Sequence, residues 1–289
     1  MMWTWWRSVA WISGHLNYNA VILEVQISTF GPDGLKRVGE MALPRVAGVR
    51  YLVSLQNPDN LSLTVPSSLD RPDVEIFEHA DRGLSVNRNA AIEHSDADVI
   101  LIADDDLEYT AEGLSYVRRM FEENPSLDFA TFCYDGDDRK VYPEYEFDIK
   151  AKLPSGYYLT SFELAIRRRS LGSLRFSPHM GVGAPLFGSG EENVFMYKLT
   201  LKGLKGRFFP KVITTHAGLT TGSRGATALS LQGQGAWLWI RYGWLEGFLR
   251  LMRDVPRRNA PLFKALRYEV RGFFLAYKYF HADCEEKFI

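Results

Sequence analysis

Short apolar runs separated by polar turns mark the first 125 residues of the chain. Residues 21–28 ("VILEVQIS"), 48–55 ("GVRYLVSL") and 74–77 each predict a strand, and the first two end at the turn segments "TFGPDG" and "QNPDN". Residues 99–103 are continuously apolar, which is typical of a strand covered on both faces of a parallel sheet. The pattern therefore predicts a sheet buried between two layers.

Helical patterns fill the intervals between these strands. "SVNRNAAIEHS" predicts a helix with Ser85 as its N-cap. Thr110 is placed to cap a second helix, which carries Leu114, Val117 and Phe121 on one face and ends before Pro125. Strands that alternate with helices predict an α/β fold with a mixed, mostly parallel sheet, and such sheets bind ligands beyond the carboxyl ends of their strands.

After residue 125 the pattern becomes mixed. Strands are predicted in "LDFATFCY", "SGYYLTSFELAIRR" and "GRFFPKVITTH", and a helix in "GEENVFMYKLTLKG". From about residue 226 the chain is helical, aromatic and basic, with nine Lys/Arg against three Asp/Glu between residues 241 and 280. We therefore expect an N-terminal extension at 1–20, a main domain at 21–225 and a helical C-terminal appendage at 226–289.

Composition narrows the class of protein. With 289 residues, 46% of them hydrophobic, the chain is long enough for a large core. A net charge of −1 gives no reason to expect a nucleic-acid partner, and two distant cysteines, Cys133 and Cys284, suit a reducing cytoplasm. The tryptophan-rich N-terminus lacks an uninterrupted apolar core and a cleavage site, so neither a signal peptide nor a membrane span is predicted.

Three consecutive carboxylates, Asp104, Asp105 and Asp106, follow the buried run in "VILIADDDLEYT". Residues two apart in an extended segment point the same way, so Asp104 and Asp106 are able to converge. Two converging carboxylates suit a hard cation such as Mg²⁺ or Mn²⁺, which also binds phosphate oxygens. The alternative is an acidic loop that caps the next helix, but three acids exceed what capping requires.

A second acidic pair, Glu191 and Glu192, opens the predicted helix in "FGSGEENVF". Carboxylates at a helix start gain from the helix dipole, which by itself explains the pair. In the company of a metal site, one of them is a candidate base for a hydroxyl nucleophile.

Other polar residues lie near these acids in the sequence. His216 ends a predicted strand before a Gly/Thr-rich loop that carries Arg224, a setting that suits a metal ligand or phosphate contact as well as a structural histidine. Arg82 and Arg88 lie upstream of the aspartates, where they are either solvated charges or phosphate contacts.

These segments resemble, in order, the family 2 glycosyltransferases of the GT-A fold. The resemblance rests on "ISTFGPDG", "GLSVNRNAA", the apolar strand with its D-x-D cluster, "SGEENVF" and a late histidine, over about residues 21 to 224. It implies a nucleotide-binding half at 21–125 and an acceptor half at 126–225. It further implies an inverting, metal-dependent hexosyltransferase of polysaccharide biosynthesis, which moves a sugar from a nucleotide-diphosphate donor, a UDP-sugar, to a glycan or lipid-linked acceptor.

The resemblance also assigns roles to residues. Asp106 would be the main metal ligand, assisted by Asp104 and His216, and Glu192, beside Glu191, occupies the position of the family's catalytic aspartate. The nucleotide-binding residues would be Ser28, Thr29, Phe30, Asp59, Arg82, Arg88, Asp104, Asp105 and Arg224. The chain departs from the family pattern in having Glu at the base position and "LQNPD" after the second strand.

Two other functions remain as alternatives. A sugar nucleotidyltransferase would have an arginine-containing phosphate loop after the first strand, whereas "STFGPDG" has no basic residue before Lys36. A non-catalytic nucleotide-sugar or polysaccharide binding protein would leave Asp106 or Glu192 without a role.

The basic aromatic tail also has two interpretations. Its aromatic residues, such as Trp237 and Trp239, either pack onto the core or rest as a peripheral contact on anionic lipid at the inner face of a membrane. We favour packing for most of the tail.

Overall fold

The computed structural model describes residues 21–137, 140–150, 157–216 and 226–285, with side chains described up to residue 280. The N-terminal extension expected at 1–20 lies outside this part of the chain. The strands are β1 Leu23–Phe30, β2 Val49–Gln56, β3 Val74–His79, β4 Val99–Asp104, β5 Leu107–Tyr109, β6 Phe129–Gly136, β7 Phe147–Ile149, β8 Leu164–Arg167 and β9 Gly206–His216. The helices are α1 Gly31–Glu40, α2 Leu84–His94, α3 Ala111–Glu123, α4 Arg168–Leu171, α5 Glu191–Leu201, α6 Ala228–Asp254 and α7 Leu262–Glu285. Short 3₁₀ turns lie at Ser67–Leu69, Ser161–Glu163 and Val255–Arg257.

The described strands form one mixed sheet in the order β3-β2-β1-β4-β8-β6-β9-β5, with β7 paired to β9. Strands β3, β2, β1 and β4 are parallel, while β8 runs antiparallel between β4 and β6. The predicted α/β fold, a mixed sheet flanked by helices, is confirmed. Because β1, β2 and β4 are parallel, their carboxyl ends meet at one edge of the sheet.

Each face of the sheet carries its own apolar cluster. Alternate residues of β1 (Leu23, Val25 and Ile27) face the cluster that α1 and α3 cover, as the two-residue period of a strand requires. The opposite face packs residues such as Ile100 and Ile102 against Phe195 and Leu199 of α5. The central strand β4 is buried on both faces, which explains its continuously apolar sequence.

Local details differ from the sequence prediction at the first two helices. The segment predicted as a turn, "TFGPDG", instead ends β1 at Phe30 and begins α1 at Gly31, with a proline in the first turn. Ser85 is not the N-cap of α2, because Gly83 takes that position with φ 104° and the Ser85 hydroxyl donates to the Met180 carbonyl at 2.6 Å. Thr110 does cap α3, since its Oγ1 accepts the Gly113 amide at 3.0 Å.

The C-terminal helices α6 and α7 pack against each other along most of their length. Their backbones meet closely at two glycines: a Cβ on Gly235 or Gly272 would lie 2.0 Å from a carbonyl oxygen of the other helix. Their shared core includes Leu231, Phe273 and Val194 of α5, so the helical pair is joined to the main domain. Among the helices that the structure describes, none combines the length and the apolar character needed to cross a membrane.

Candidate active site

A cavity of about 710 Å³ lies beyond the carboxyl ends of β1, β2 and β4. This is the edge at which open α/β sheets bind their ligands, and the volume falls in the usual range for small-molecule sites. Its walls come from strand ends, the start of α5 and the start of α6. The cavity lining includes Ser28, Thr29, Phe30, Arg37, Gln56, Arg82, Arg88, Asp104, Asp105, Asp106, Ser161, Glu191, Glu192, His216, Ser230 and Gln234.

The first two aspartates of the cluster point to different neighbours. Asp104 ends β4, and its Oδ1 accepts a hydrogen bond from Arg88 Nη2 at 2.9 Å. Asp105 turns toward α1 and accepts from Thr29 Oγ1 at 2.5 Å and from Arg37 Nη2 at 2.8 Å. Each carboxylate is therefore fixed by its own partner, which offsets the repulsion between adjacent charges.

Asp106 faces His216, because the residue after it begins β5 and pairs with β9. Leu107 lies opposite His216 in this antiparallel pair, and His216 Nε2 is 3.3 Å from Asp106 Oδ2. Burial raises the pKa of Asp106, and the negative charges of Asp104 and Asp105 add to this shift. A raised carboxylate pKa marks a place where additional positive charge would be favourable.

Asp104, Asp106 and His216 offer the kinds of donor atom that a divalent cation binds. In the described residues, no three His, Cys, Asp or Glu side chains are arranged to enclose a metal ion by themselves. Asp104, Asp106 and His216 nevertheless line one open cavity, and the buried Nδ1 of His216 has no hydrogen-bond partner there. Mg²⁺ and Mn²⁺ accept such incomplete protein shells, since phosphate oxygens and waters fill the other positions.

Arg88 binds one carboxylate of each acidic cluster, Asp104 and Glu191. Its side chain is 1% exposed, and its Nη1 donates to Glu191 Oε1 at 3.1 Å while Nη2 donates to Asp104 and to Ser161 Oγ at 2.8 Å. The guanidinium also lies over the Phe176 ring, 5.5 Å from its centroid. Both Nη groups are thus occupied by protein, so Arg88 holds α2, β4 and α5 together at the cavity wall.

The two glutamates at the start of α5 have different environments. Glu191 is 6% exposed and ion-paired to Arg88. Glu192 lines the cavity and accepts a hydrogen bond from Asn193 Nδ2 at 3.0 Å, and no described side chain forms an ion pair with it. Burial raises the pKa of Glu192 well above its ordinary value, and the adjacent Glu191 carboxylate raises it further. A carboxylate with a raised pKa binds a proton more readily than an ordinary glutamate, which is the property that a general base requires.

The remaining predicted residues divide into three sets. Ser28, Thr29 and Phe30 line the cavity at the end of β1. Arg82 also lines it, with its guanidinium 5.7 Å from the Phe30 ring centroid, and donates to Asp59 Oδ1 at 2.6 Å. Asp59 is therefore connected to the cavity through Arg82, and Arg224 lies outside the described residues.

Several cavity residues were absent from the sequence prediction. Arg37 was missed because its helix, α1, was predicted as a turn. Ser230 and Gln234 come from α6, so the C-terminal helices supply part of the cavity wall. The sequence signal for them is weak: Ser230 and Gln234 lie four residues apart in "LSLQGQGAWLWI", with a third polar residue, Gln232, between them.

A mixed sheet with an acidic cluster at the carboxyl ends of its parallel strands, and an acidic helix start in the same cavity, is the layout of the GT-A fold. Residues 63–182 match the model of Glycosyl transferase family 2. This match confirms the predicted resemblance to family 2 glycosyltransferases, and the chain is a glycosyltransferase.

Solved structures agree in fold. S. aureus TarS 1–349 in complex with UDP-GlcNAc is 12% identical, with a TM-score of 0.56 over 92% of this chain and 76% of that one. GalNAc-T7 with UDP, GalNAc and Mn²⁺ is 14% identical, with a TM-score of 0.52 over 94% of this chain and 59% of that one. At these identities the likeness shows the fold alone. No curated protein sequence matches the chain.

Proposed function

We propose that this glycosyltransferase moves a sugar from a UDP-sugar to a hydroxyl group of a glycan or lipid-linked acceptor, with inversion and with a divalent metal. The observation that carries the proposal is Glu192, a carboxylate without an ion-pair partner among the described side chains, in the same cavity as the aspartate cluster. A base and a diphosphate-binding cluster in one cavity are what this reaction requires.

The donor is expected along the ends of β1 and β4. Phe30 and Arg82 offer a ring and a guanidinium to the nucleotide, and Asp104, Asp106 and His216 would hold Mn²⁺ or Mg²⁺. A bound divalent cation would neutralise charge on the departing diphosphate. The UDP complexes of TarS and of GalNAc-T7, the latter with Mn²⁺, support this choice of donor and metal.

The acceptor is expected on the side of α5 and α6. Glu192 accepts the proton of the acceptor hydroxyl as that oxygen attacks the anomeric carbon, and one displacement inverts the configuration there. Glu191 is not free for this role, because Arg88 binds its carboxylate. Burial raises the pKa of Glu192, so its carboxylate binds a proton more readily than an ordinary glutamate does.

Two distant cysteines suit a reducing compartment, so we place the reaction in the cytoplasm. The resemblance to family 2 glycosyltransferases suggests a place in polysaccharide biosynthesis.

The two alternatives differ in product. A sugar nucleotidyltransferase needs pyrophosphate to cleave a nucleotide sugar and forms a nucleoside triphosphate, and a binding protein leaves the donor intact.

The proposal is tested by incubating the protein with a panel of nucleotide sugars and Mn²⁺, and measuring nucleotide diphosphate release. We expect one UDP-sugar to be cleaved slowly by water and faster with a suitable glycan, and EDTA to stop both reactions. Glu192→Gln and Asp106→Asn should each abolish release, whereas Glu123→Gln, at an exposed position outside the cavity, should not. Intact donors throughout, or full activity of Glu192→Gln, would contradict the proposal.

A further inference from the structure

The last three turns of α6 carry a row of large apolar side chains that the described structure covers only in part. Trp244, Leu245, Phe248, Leu249 and Met252 are 54%, 72%, 36%, 62% and 41% exposed. Single exposed apolar residues are ordinary on protein surfaces, but five within nine positions of one helix form a continuous face.

A break in α6 separates this face from the buried part of the helix. Gly243 has φ 70° and ψ −164°, a conformation that glycine adopts without strain, and the chain changes direction there. After the break, Gly247 and Leu251 are the buried positions. At 100° per residue, the five apolar side chains cover an arc of roughly 140° next to that buried edge, while Glu246, Arg250 and Arg253 lie beyond it.

Helix α7 extends the apolar face and gives it a basic border. The Phe274 ring lies 5.3 Å from that of Trp244, and Phe274 and Phe263 are 47% and 76% exposed. Arg267, Arg271 and Lys278 are exposed on α7, and successive 100° steps place them beside Phe263 and Phe274. We call the apolar set Trp244, Leu245, Phe248, Leu249, Met252, Phe263 and Phe274 the docking face.

Charge separates this region from the rest of the molecule. Residues 241–280 contain nine Lys/Arg and three Asp/Glu, in a chain whose total charge is −1. The C-terminal helices are therefore basic and the remainder of the chain is acidic. A second copy of the chain would bring one basic border against another, whereas an anionic surface complements it.

We propose that the docking face binds the surface of a bilayer that contains anionic phospholipid. The apolar side chains enter the boundary between headgroups and acyl chains, to a depth of about 5–10 Å, as amphipathic helices do. Arg267, Arg271 and Lys278 bind lipid phosphates at the rim. The helices lie on the membrane, in agreement with the finding that no described helix is suited to span one.

The position of the face bears on the acceptor, and this step rests on the proposed function. Gln234 of α6 lines the cavity, and Trp244 follows it by ten residues in the same helix. At a rise of about 1.5 Å per residue, the two lie within about 15 Å of each other. Docking therefore brings the cavity close to the lipid surface, where an acceptor tethered to lipid is within reach.

Co-sedimentation of the full chain with vesicles tests the proposal without reference to activity. We expect binding to vesicles of equal parts phosphatidylcholine and phosphatidylglycerol, little binding to phosphatidylcholine alone, and weakening by salt. The double variant Leu245→Ser/Leu249→Ser should bind at least tenfold more weakly. Arg267→Gln/Arg271→Gln should lose roughly fivefold per charge removed.

Matched controls use exposed residues away from the C-terminal helices. Leu61→Ser/Val65→Ser removes two side chains that are 49% and 52% exposed, and Lys36→Gln/Arg119→Gln removes two exposed charges; both should bind like the unmodified chain. Equal binding by the docking-face variants and the unmodified chain, or no binding to anionic vesicles, would overturn the proposal. So would a dimer in analytical ultracentrifugation that Leu245→Ser/Leu249→Ser dissociates, because a second copy would then cover the face. Diphosphate release without vesicles, measured on the same proteins, reports separately on the proposed function.

Discussion

The cavity holds two acidic clusters, which differ in how many of their carboxylates have an ion-pair partner. Each aspartate of Asp104–Asp106 contacts a different arginine or histidine side chain. Of the two glutamates, Glu191 is bound by Arg88, while Glu192 forms no ion pair with any described side chain. Under the proposed function, the paired carboxylates shape the site and Glu192 is the group that accepts the proton.

The contrast also has an energetic side. Burial drives a carboxylate toward its neutral form unless nearby cations offset the cost. The pKa of Glu192 is raised well above its ordinary value, because burial and the neighbouring Glu191 carboxylate outweigh the more distant charge of Arg88. The fold therefore loses stability when Glu192 ionises, and we interpret this loss as the cost of keeping a base in the cavity.

The strongest test of the contrast is Glu192→Gln. Because glutamine keeps the shape but accepts no proton, kcat for transfer should fall about 10²–10⁴-fold, while donor affinity stays within about twofold. Steady-state kinetics and donor titration measure the two quantities. Glu191→Gln serves as the comparison, since it should chiefly lower the melting temperature by weakening the contact with Arg88. A larger loss of kcat in Glu191→Gln than in Glu192→Gln would reverse the assignment.

Arg88→Met should give the next largest effect, on stability. Methionine fills similar space but leaves the buried Glu191 and the partly exposed Asp104 without their cation. Removing the partner of a buried charge typically costs about 3–5 kcal/mol. Urea unfolding measures the loss of unfolding free energy. Arg88→Lys should lose less than Arg88→Met, because the ammonium keeps the positive charge but does not bind both carboxylates as the guanidinium does. A loss below about 1 kcal/mol would mean that Arg88 does not bind the clusters together.

The pH dependence should run in opposite directions for activity and stability. Transfer requires Glu192 as the carboxylate, so the rate should fall as pH falls through its raised pKa. The contribution of Glu192 to stability should be largest below the ordinary pKa of a glutamate and should decline as pH rises through the raised value, since the folded state binds this proton more tightly. The urea concentration at the midpoint of unfolding should therefore be higher for Glu192→Gln than for the unmodified chain at neutral pH, and this difference should become smaller in acid. An equal difference at both pH values would contradict the raised pKa.

The sequence was sufficient for the fold and for the acidic segments, because strand period, buried runs and strand-end charges are local patterns. It was insufficient wherever one local pattern suits two structures. Gly, Pro and Asp in "TFGPDG" serve a turn and the first turn of a helix equally well, so α1 and Arg37 were missed. The contact between Asp106 and His216 depends on the register of β5 with β9, and their 110-residue separation hides it. Burial of Arg88 was equally hidden, since arginine is rarely buried without partners from elsewhere in the fold.

Arg37→Ala should have the smallest effect on stability and on the transfer rate. The Arg37 side chain is half exposed, and exposed ion pairs are worth about 0.2–1 kcal/mol, so urea unfolding should change by no more than this. Asp105 keeps its hydrogen bond from Thr29, and its carboxylate should therefore stay in place. Transfer should fall less than about threefold, with salt reducing the difference. A tenfold or larger fall in kcat would show that Arg37 itself contacts the donor. Arg37 would then act in the reaction and not only hold Asp105 in place.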